Sequence, residues 1–195
     1  MRTASIVLNA VNFTATCLVI LSLFRKDGKW DIQSGLHMFR FFTVLSNAFC
    51  GLASLLMAVS QLSGDAPAWV LHLKYLGTVS VTLTFLTVFL FLIPFKGGAA
   101  KWMSGPNIYM HLFGPLLAIG SYVFLEKRPM SLAAAMTGLL PLLVYGSVYL
   151  YKVMFAPEGH RWEDVYGLKN GGNWLPSALA MGAGTAAICY LFQVI

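Results

Sequence analysis

The sequence predicts an all-α polytopic membrane protein, a bundle of six transmembrane helices that forms one integral membrane domain over residues 1–195. Apolar residues make up 58% of the chain and charged residues only 10%, whereas a soluble domain usually carries about 25% charged residues. The mean hydropathy is high, at +0.73. Six apolar runs have about the length that a span requires, and they predict helices near 4–24, 35–61, 68–94, 107–125, 130–153 and 174–194.

Four of the predicted helices carry a series of polar side chains, mostly three or four residues apart. Such spacing places them on one helix face. Lipid cannot satisfy polar groups, so these faces must point to the bundle interior or to a polar cavity. They comprise Asn9, Asn12 and Thr16 in the first helix; Arg40, Thr43, Asn47, Cys50 and Ser54 in the second; Thr78, Thr82, Thr84 and Thr87 in the third; and Tyr145, Tyr149 and Lys152 in the fifth.

The sixth predicted helix has small residues four apart instead, in the pairs Ala178 and Gly182, and Ala180 and Gly184. Small residues at this spacing allow a neighbouring helix backbone to approach closely. Packing within the bundle and a contact with a second copy of the chain are both compatible with this pattern.

The basic residues indicate the orientation in the membrane. The formal net charge is +6, but no basic domain is present to bind nucleic acid, so we expect no nucleic-acid partner. Nine basic residues belong to the first, third and fifth loops and their helix ends, namely Arg25, Lys26, Lys29, Arg40, Lys96, Lys101, Lys152, Arg161 and Lys169. The opposite side has Arg2, Lys74, Lys127 and Arg128. The positive-inside rule therefore predicts both termini outside and the odd loops in the cytoplasm.

Two polar residues in apolar surroundings, Thr43 and His111, are candidates for a catalytic site. A hydroxyl and an imidazole are the minimum parts of a nucleophile and its base, and ionisable groups inside a membrane usually mark functional sites. Both predicted helices start from the cytoplasmic side, and a rise of 1.5 Å per residue places Thr43 ~12 Å and His111 ~6 Å deep. Pro115 lacks an N–H, so the His111 carbonyl loses its helical partner and a kink is predicted there.

Neighbouring polar residues could complete a catalytic site. Asn47 and Asn107 are candidate donors to an oxyanion, and Arg40 could hold a fatty-acid carboxylate. Tyr149 and Lys152 are further candidates for the pocket. Structural roles remain open: threonine commonly bonds the carbonyl four residues earlier, asparagine can join helices, and Arg40 and Lys152 can be snorkelling anchors.

Two segments resemble signatures of a known family. Phe41-Phe42-Thr43-Val44-Leu45-Ser46-Asn47 resembles its "FTxxSN" segment, and the stretch from His111 to Ala118 resembles "HxxxPLLA". The family is the androgen-induced protein type, which includes the androgen-dependent regulator of tissue factor pathway inhibitor and bacterial members. The resemblance implies an intramembrane threonine hydrolase that cleaves fatty acid esters of hydroxy fatty acids, with Thr43 and His111 catalytic. A bacterial-type member would lie in the inner membrane.

Two other functions remain open. One is a membrane acyltransferase that uses Thr43 or Cys50, which lies seven residues later on the same face. The other is a non-enzymatic lipid-binding or small transport protein, although the paired broken helices of many transporters are missing. The three cysteines lack metal-site spacing, so no metal or cofactor is implied. The expected partners are membrane lipids or a fatty acyl ester substrate.

Overall fold

The computed structural model describes residues 1–169 and 174–195, which are mostly helical. In chain order, the main elements are α1 (Arg2–Leu23), β1 (Arg25–Lys26), β2 (Lys29–Trp30), α2 (Ile32–Met38), α3 (Phe42–Ser63), α4 (Ala68–Phe95), α5 (Gly98–Trp102), α6 (Pro106–Glu126), α7 (Leu132–Phe155) and α8 (Leu175–Val194). All the helices except α2 and α5 are long and apolar enough to cross a membrane. The predicted all-α class with six spanning helices is therefore confirmed.

The second spanning helix begins later than predicted. It starts at Phe42 instead of residue 35, because residues 32–38 form the separate helix α2 and Phe41 is extended. The Phe24 ring at the end of α1 lies directly against Gly35 and 6.3 Å from the ring of Phe39. This packing holds α2 against the end of α1, and the extended Phe41 separates α2 from α3.

A short hairpin follows α1, where the sequence analysis predicted only a loop. β1 and β2 pair antiparallel, and the Asp27-Gly28 turn between them has φ values of 51° and 79°. A two-residue type I′ turn requires such left-handed conformations and favours Asp-Gly. Asp31 then caps α2 by accepting the Ser34 backbone N–H at 2.9 Å, and this bond lowers the pKa of the Asp31 carboxyl.

The chain contains two compact units, Met1–Pro129 and Met130–Ile195. In the first unit α1 packs against α3, α3 packs against α4, and α6 contacts both α1 and α4. The packing of α3 on α4 is close, since a Cβ placed on Gly77 would lie 3.0 Å from the Cα of Cys50. In the second unit α7 packs against α8.

The predicted polar faces point inward in the first unit. Asn9, Asn12 and Thr16 are buried along α1, together with Ser5. Asn47, Cys50 and Ser54 are buried in α3, and Thr78, Thr82 and Thr84 in α4. Burial of these side chains agrees with the expectation that lipid cannot satisfy them.

Prolines within the spanning helices follow turns that are not α-helical. Wider π turns at Val88–Leu92 and Tyr109–Phe113 precede Pro94 and Pro115, and a tighter 3₁₀ turn at Thr137–Leu139 precedes Pro141. A proline cannot donate the α-helical hydrogen bond, so the preceding turn is the place where the helix adjusts.

Candidate functional site

Thr43 lies in the first turn of α3, one residue after its start, and is half-buried. The predicted depth of ~12 Å within the helix assumed a start near residue 35 and a rise of 1.5 Å per residue, so it is wrong for α3. Thr43 and His111 nevertheless both lie near the amino-terminal ends of spanning helices within the first unit.

The Thr43 hydroxyl differs from other threonine hydroxyls in the spans. Thr78, Thr82 and Thr185 each donate to the carbonyl four residues earlier, the usual arrangement in membrane helices. For Thr43 that carbonyl belongs to Phe39, which precedes the helix, and the hydroxyl makes no hydrogen bond to a residue that the structure describes. A purely structural role for Thr43, as a donor to the carbonyl four residues earlier, is therefore not supported by this geometry.

His111 is buried, with 3% of its surface exposed. Its Nδ1 lies 2.6 Å from the backbone oxygen of Trp102, at the end of α5. A carbonyl oxygen can only accept a hydrogen bond, so Nδ1 carries the proton. In the neutral ring this leaves the lone pair on Nε2, the nitrogen that can act as a base. Trp102 thus supplies the group that orients His111, which sequence patterns did not identify.

The π turn around His111 leaves the backbone carbonyl of Met110 without a helical partner. Gly114 donates its N–H to Tyr109 instead of to Met110, its α-helical partner. The next residue, Pro115, has no N–H to donate to Met110 in its place. The predicted distortion before Pro115 is therefore present as a π turn, and it affects the Met110 carbonyl in addition to the His111 carbonyl, whose α-helical donor would be Pro115.

The side chain of Asn47 supplies a hydrogen bond to the Met110 carbonyl. Its Nδ2 donates to the Met110 carbonyl at 3.1 Å and to the Thr43 carbonyl at 2.8 Å. One amide nitrogen therefore joins the turn that holds Thr43 to the turn that holds His111. Gly114 permits this contact, since a Cβ there would lie 3.0 Å from the Asn47 Oδ1.

The other predicted site residues lie in different places. Asn107 is half-buried in the first turn of α6, and Arg40 is exposed in the turn before α3. Tyr149 belongs to the second unit, where its hydroxyl donates to the Glu163 carbonyl at 3.0 Å and accepts the Val165 N–H at 2.9 Å. Lys152, half-buried one turn later, is in the second unit too.

A buried ion pair is the main polar feature that the sequence analysis missed. Lys74 and Glu126 are both fully buried, with 3.9 Å between Nζ and Oε2. Lys74, which the charge count assigned to the outer side, is therefore a charge buried within the protein and not one exposed at a membrane surface. Its position within the apolar run 68–94 was the available signal, since charges inside a span usually face the bundle interior. Without Lys74, nine basic residues on the predicted cytoplasmic side oppose three on the other side, so the predicted orientation is unchanged.

Hydrogen bonds connect this ion pair to Tyr109, in the π turn that contains His111. Lys74 donates to the Ser54 hydroxyl at 3.0 Å, and Asn12 donates to the same hydroxyl at 3.0 Å. The Tyr109 hydroxyl in turn donates to the Asn12 Oδ1 at 2.8 Å. Side chains of α1, α3, α4 and α6 thus form one continuous network. At its other end, Ser5 and Asn9 donate to Glu126.

Comparison with protein-family models, curated proteins and solved structures found no match. The family resemblance therefore rests on the two short segments around Thr43 and His111.

Proposed function

We propose that this chain is an intramembrane lipid-ester hydrolase, with Thr43 as nucleophile and His111 as general base. The observation that carries the proposal is the Asn47 amide, which joins the Thr43 turn to the His111 turn. The tautomer that Trp102 imposes on His111 is the one that a base requires. From the charge bias and the resemblance, we propose that the site lies towards the cytoplasmic side of a bacterial inner membrane.

The proposed reaction has two steps. In the first, His111 Nε2 takes the proton of the Thr43 hydroxyl while Oγ1 attacks the ester carbonyl. The bond to the alcohol oxygen breaks, His111 returns the proton to that oxygen, and an acyl-threonine remains. In the second, His111 takes a proton from water, which attacks the acyl group. The bond to Thr43 Oγ1 breaks, His111 returns the proton to Oγ1, and a fatty acid is released. A fatty acid ester of a hydroxy fatty acid would give two fatty acids.

The neighbouring residues have distinct proposed roles. Both N–H groups of Asn47 are already donated to carbonyls, so we assign it a positioning role. Asn107, four residues before His111, is then the better candidate for an oxyanion donor. Arg40 would hold the free carboxylate of the substrate near the membrane surface, since a guanidinium pairs well with carboxylates.

The alternative acyltransferase has less support. Cys50 is 1% exposed, and its sulfur lies 3.8 Å from the Asn12 amide nitrogen in the network. An acyl acceptor at this position would require the packing of α3 on α4 to open.

Labelling of the purified protein with a fluorophosphonate, followed by mapping of the adduct by mass spectrometry, tests the proposal. We expect an adduct on Thr43 that disappears in Thr43→Ala and His111→Ala but remains in Thr78→Ala. An adduct on Cys50 would favour acyl transfer instead. Folded protein without any adduct and without ester hydrolysis would contradict both enzymatic functions and favour lipid binding or transport.

A further inference from the structure

The second unit contains a cavity that the proposed hydrolase reaction does not use. It has a volume of about 240 Å³ and lies between α7, α8 and the loop that joins them. Leu142, Tyr145, Gly146 and Tyr149 line it from one helix, and Gly182 belongs to the opposite wall. All the residues that line it lie within Met130–Ile195.

The walls of the cavity offer hydrocarbon contacts and little else. Among the described residues that line it, none carries a formal charge. The Tyr149 hydroxyl is engaged by backbone groups of the loop, so it cannot serve as a polar anchor for a ligand. Water would find few partners there, and buried water usually needs two to four.

The location of the cavity identifies its occupant. Both α7 and α8 are long and apolar enough to span a membrane, so their exposed apolar side chains would lie among hydrocarbon tails. A void between them would forfeit dispersion contacts along its walls, and a lipid chain can restore them. A free fatty acid fits less well, because its carboxylate would need a charged or hydrogen-bonding partner.

We infer that this cavity binds one acyl chain of a membrane phospholipid. The cavity volume of about 240 Å³ is below the range of about 300–1,000 Å³ that is typical of pockets for complete drug-sized ligands, so it suits a single chain better than a whole molecule. The residues that line the cavity belong to the second unit, whereas Thr43 and His111 belong to the first, and the inference does not depend on the proposed hydrolase activity.

Two glycines make the inference testable. Gly146 and Gly182 line the cavity, and a Cβ on either would meet nothing within 4 Å. Gly146→Leu and Gly182→Leu therefore fill the cavity without a backbone clash, and leucine also favours the helix. Gly184 in α8 has equally open surroundings but does not line the cavity, so Gly184→Leu is the matched control.

Native mass spectrometry of the full chain released from phosphatidylcholine nanodiscs should show one retained phospholipid. We expect that lipid to be lost from Gly146→Leu and Gly182→Leu and kept by Gly184→Leu. In nanodiscs of phosphatidylcholine with a brominated acyl chain, the Trp174 fluorescence should be quenched. This signal is obtained as the difference from Trp174→Phe, and the two filling variants should show less quenching than the control.

Equal lipid retention and equal quenching in all variants would overturn the inference. So would a wild-type dimer that dissociates in both filling variants while lipid retention stays constant, because a second copy would then occupy the cavity. Loss of fluorophosphonate labelling at Thr43 would not bear on the result, since neither measurement depends on catalysis.

Discussion

Asn47 donates a hydrogen bond to the Met110 carbonyl, which has no helical partner because Gly114 bonds to Tyr109 and Pro115 has no N–H. The second N–H of the same amide goes to the Thr43 carbonyl. Asn47 of α3 thus bonds to the carbonyl that the π turn and Pro115 of α6 leave without a partner. Its consequence is a fixed relationship between the backbone segments that carry the proposed nucleophile and base.

Replacement of Asn47 by alanine should destabilise the protein and slow its reaction. The variant leaves the buried Met110 carbonyl unsatisfied, which typically costs about 1–3 kcal/mol. Thermal denaturation in detergent measures the stability, and the rate of fluorophosphonate labelling at Thr43 measures the reaction. Ser63→Ala, at the exposed end of α3, is the control. Labelling of Asn47→Ala at the wild-type rate would remove the basis for a positioning role.

Gly114→Ala should disturb the same contact from the other helix. The added methyl group would lie 3.0 Å from the Asn47 Oδ1 and 3.2 Å from the Tyr109 carbonyl. Gly120→Ala is the matched control, because it lies in α6 and a Cβ there meets nothing within 4 Å. We expect a lower melting temperature and slower labelling for Gly114→Ala alone. Similar behaviour of both variants would argue against a specific contact with Asn47.

The Lys74 and Glu126 pair should show strong coupling in a double-mutant cycle. Loss of one partner leaves a buried charge without compensation, so Lys74→Met and Glu126→Leu should each cost about 3–5 kcal/mol. The double variant should be more stable than either single variant, since no buried charge remains. Denaturant titrations in mixed micelles measure these free energies, and additive effects would rule out an energetically coupled pair.

Tyr109→Phe should weaken the connection between α1 and the π turn. It removes the hydroxyl that bonds to Asn12, and the unpaired Asn12 oxygen would cost about 1–3 kcal/mol. Tyr190→Phe should change little, because Tyr190 is 56% exposed. Melting temperatures and labelling rates of the two variants provide the comparison. A wild-type melting temperature for Tyr109→Phe would show that this bond contributes no stability.

The cap of α2 should depend on pH. The pKa of Asp31 is lower in the folded protein than its usual value, since the ionised carboxyl accepts the Ser34 N–H. Its stabilising contribution is therefore complete above the usual value of 3.8 and is lost as the pH falls through the lower, folded-state value. Hydrogen exchange of residues 32–38 should show increased opening in acid for the wild type. Asp31→Asn, which caps without a charge, should lack this change.

Sequence patterns predicted most of the fold because the spans are long and apolar, and the spacing of Asn9, Asn12 and Thr16 identified the buried face of α1. The break before α3 was missed because residues 35–61 form one mostly apolar run, and neither the extended Phe41 nor the contact of Phe24 with Gly35 follows from apolar periodicity. The role of Trp102 was missed for a similar reason, since a backbone carbonyl leaves no signature in residue type. Pro115 located the distortion in α6, but residue types do not distinguish an α from a π register, and the Asn47 amide that bonds to the Met110 carbonyl comes from another helix.

The π turn at Tyr109–Phe113 acts as a one-residue insertion in α6. Deletion of one residue would restore an α-helical register and rotate the preceding residues by about 100° around the helix axis. Asn107 and Tyr109 would then face different neighbours, while the residues after Pro115 would keep theirs. In a relative with one residue fewer before this proline, the residues before and after the proline would therefore face different directions around the helix than they do here, even if every polar residue were retained.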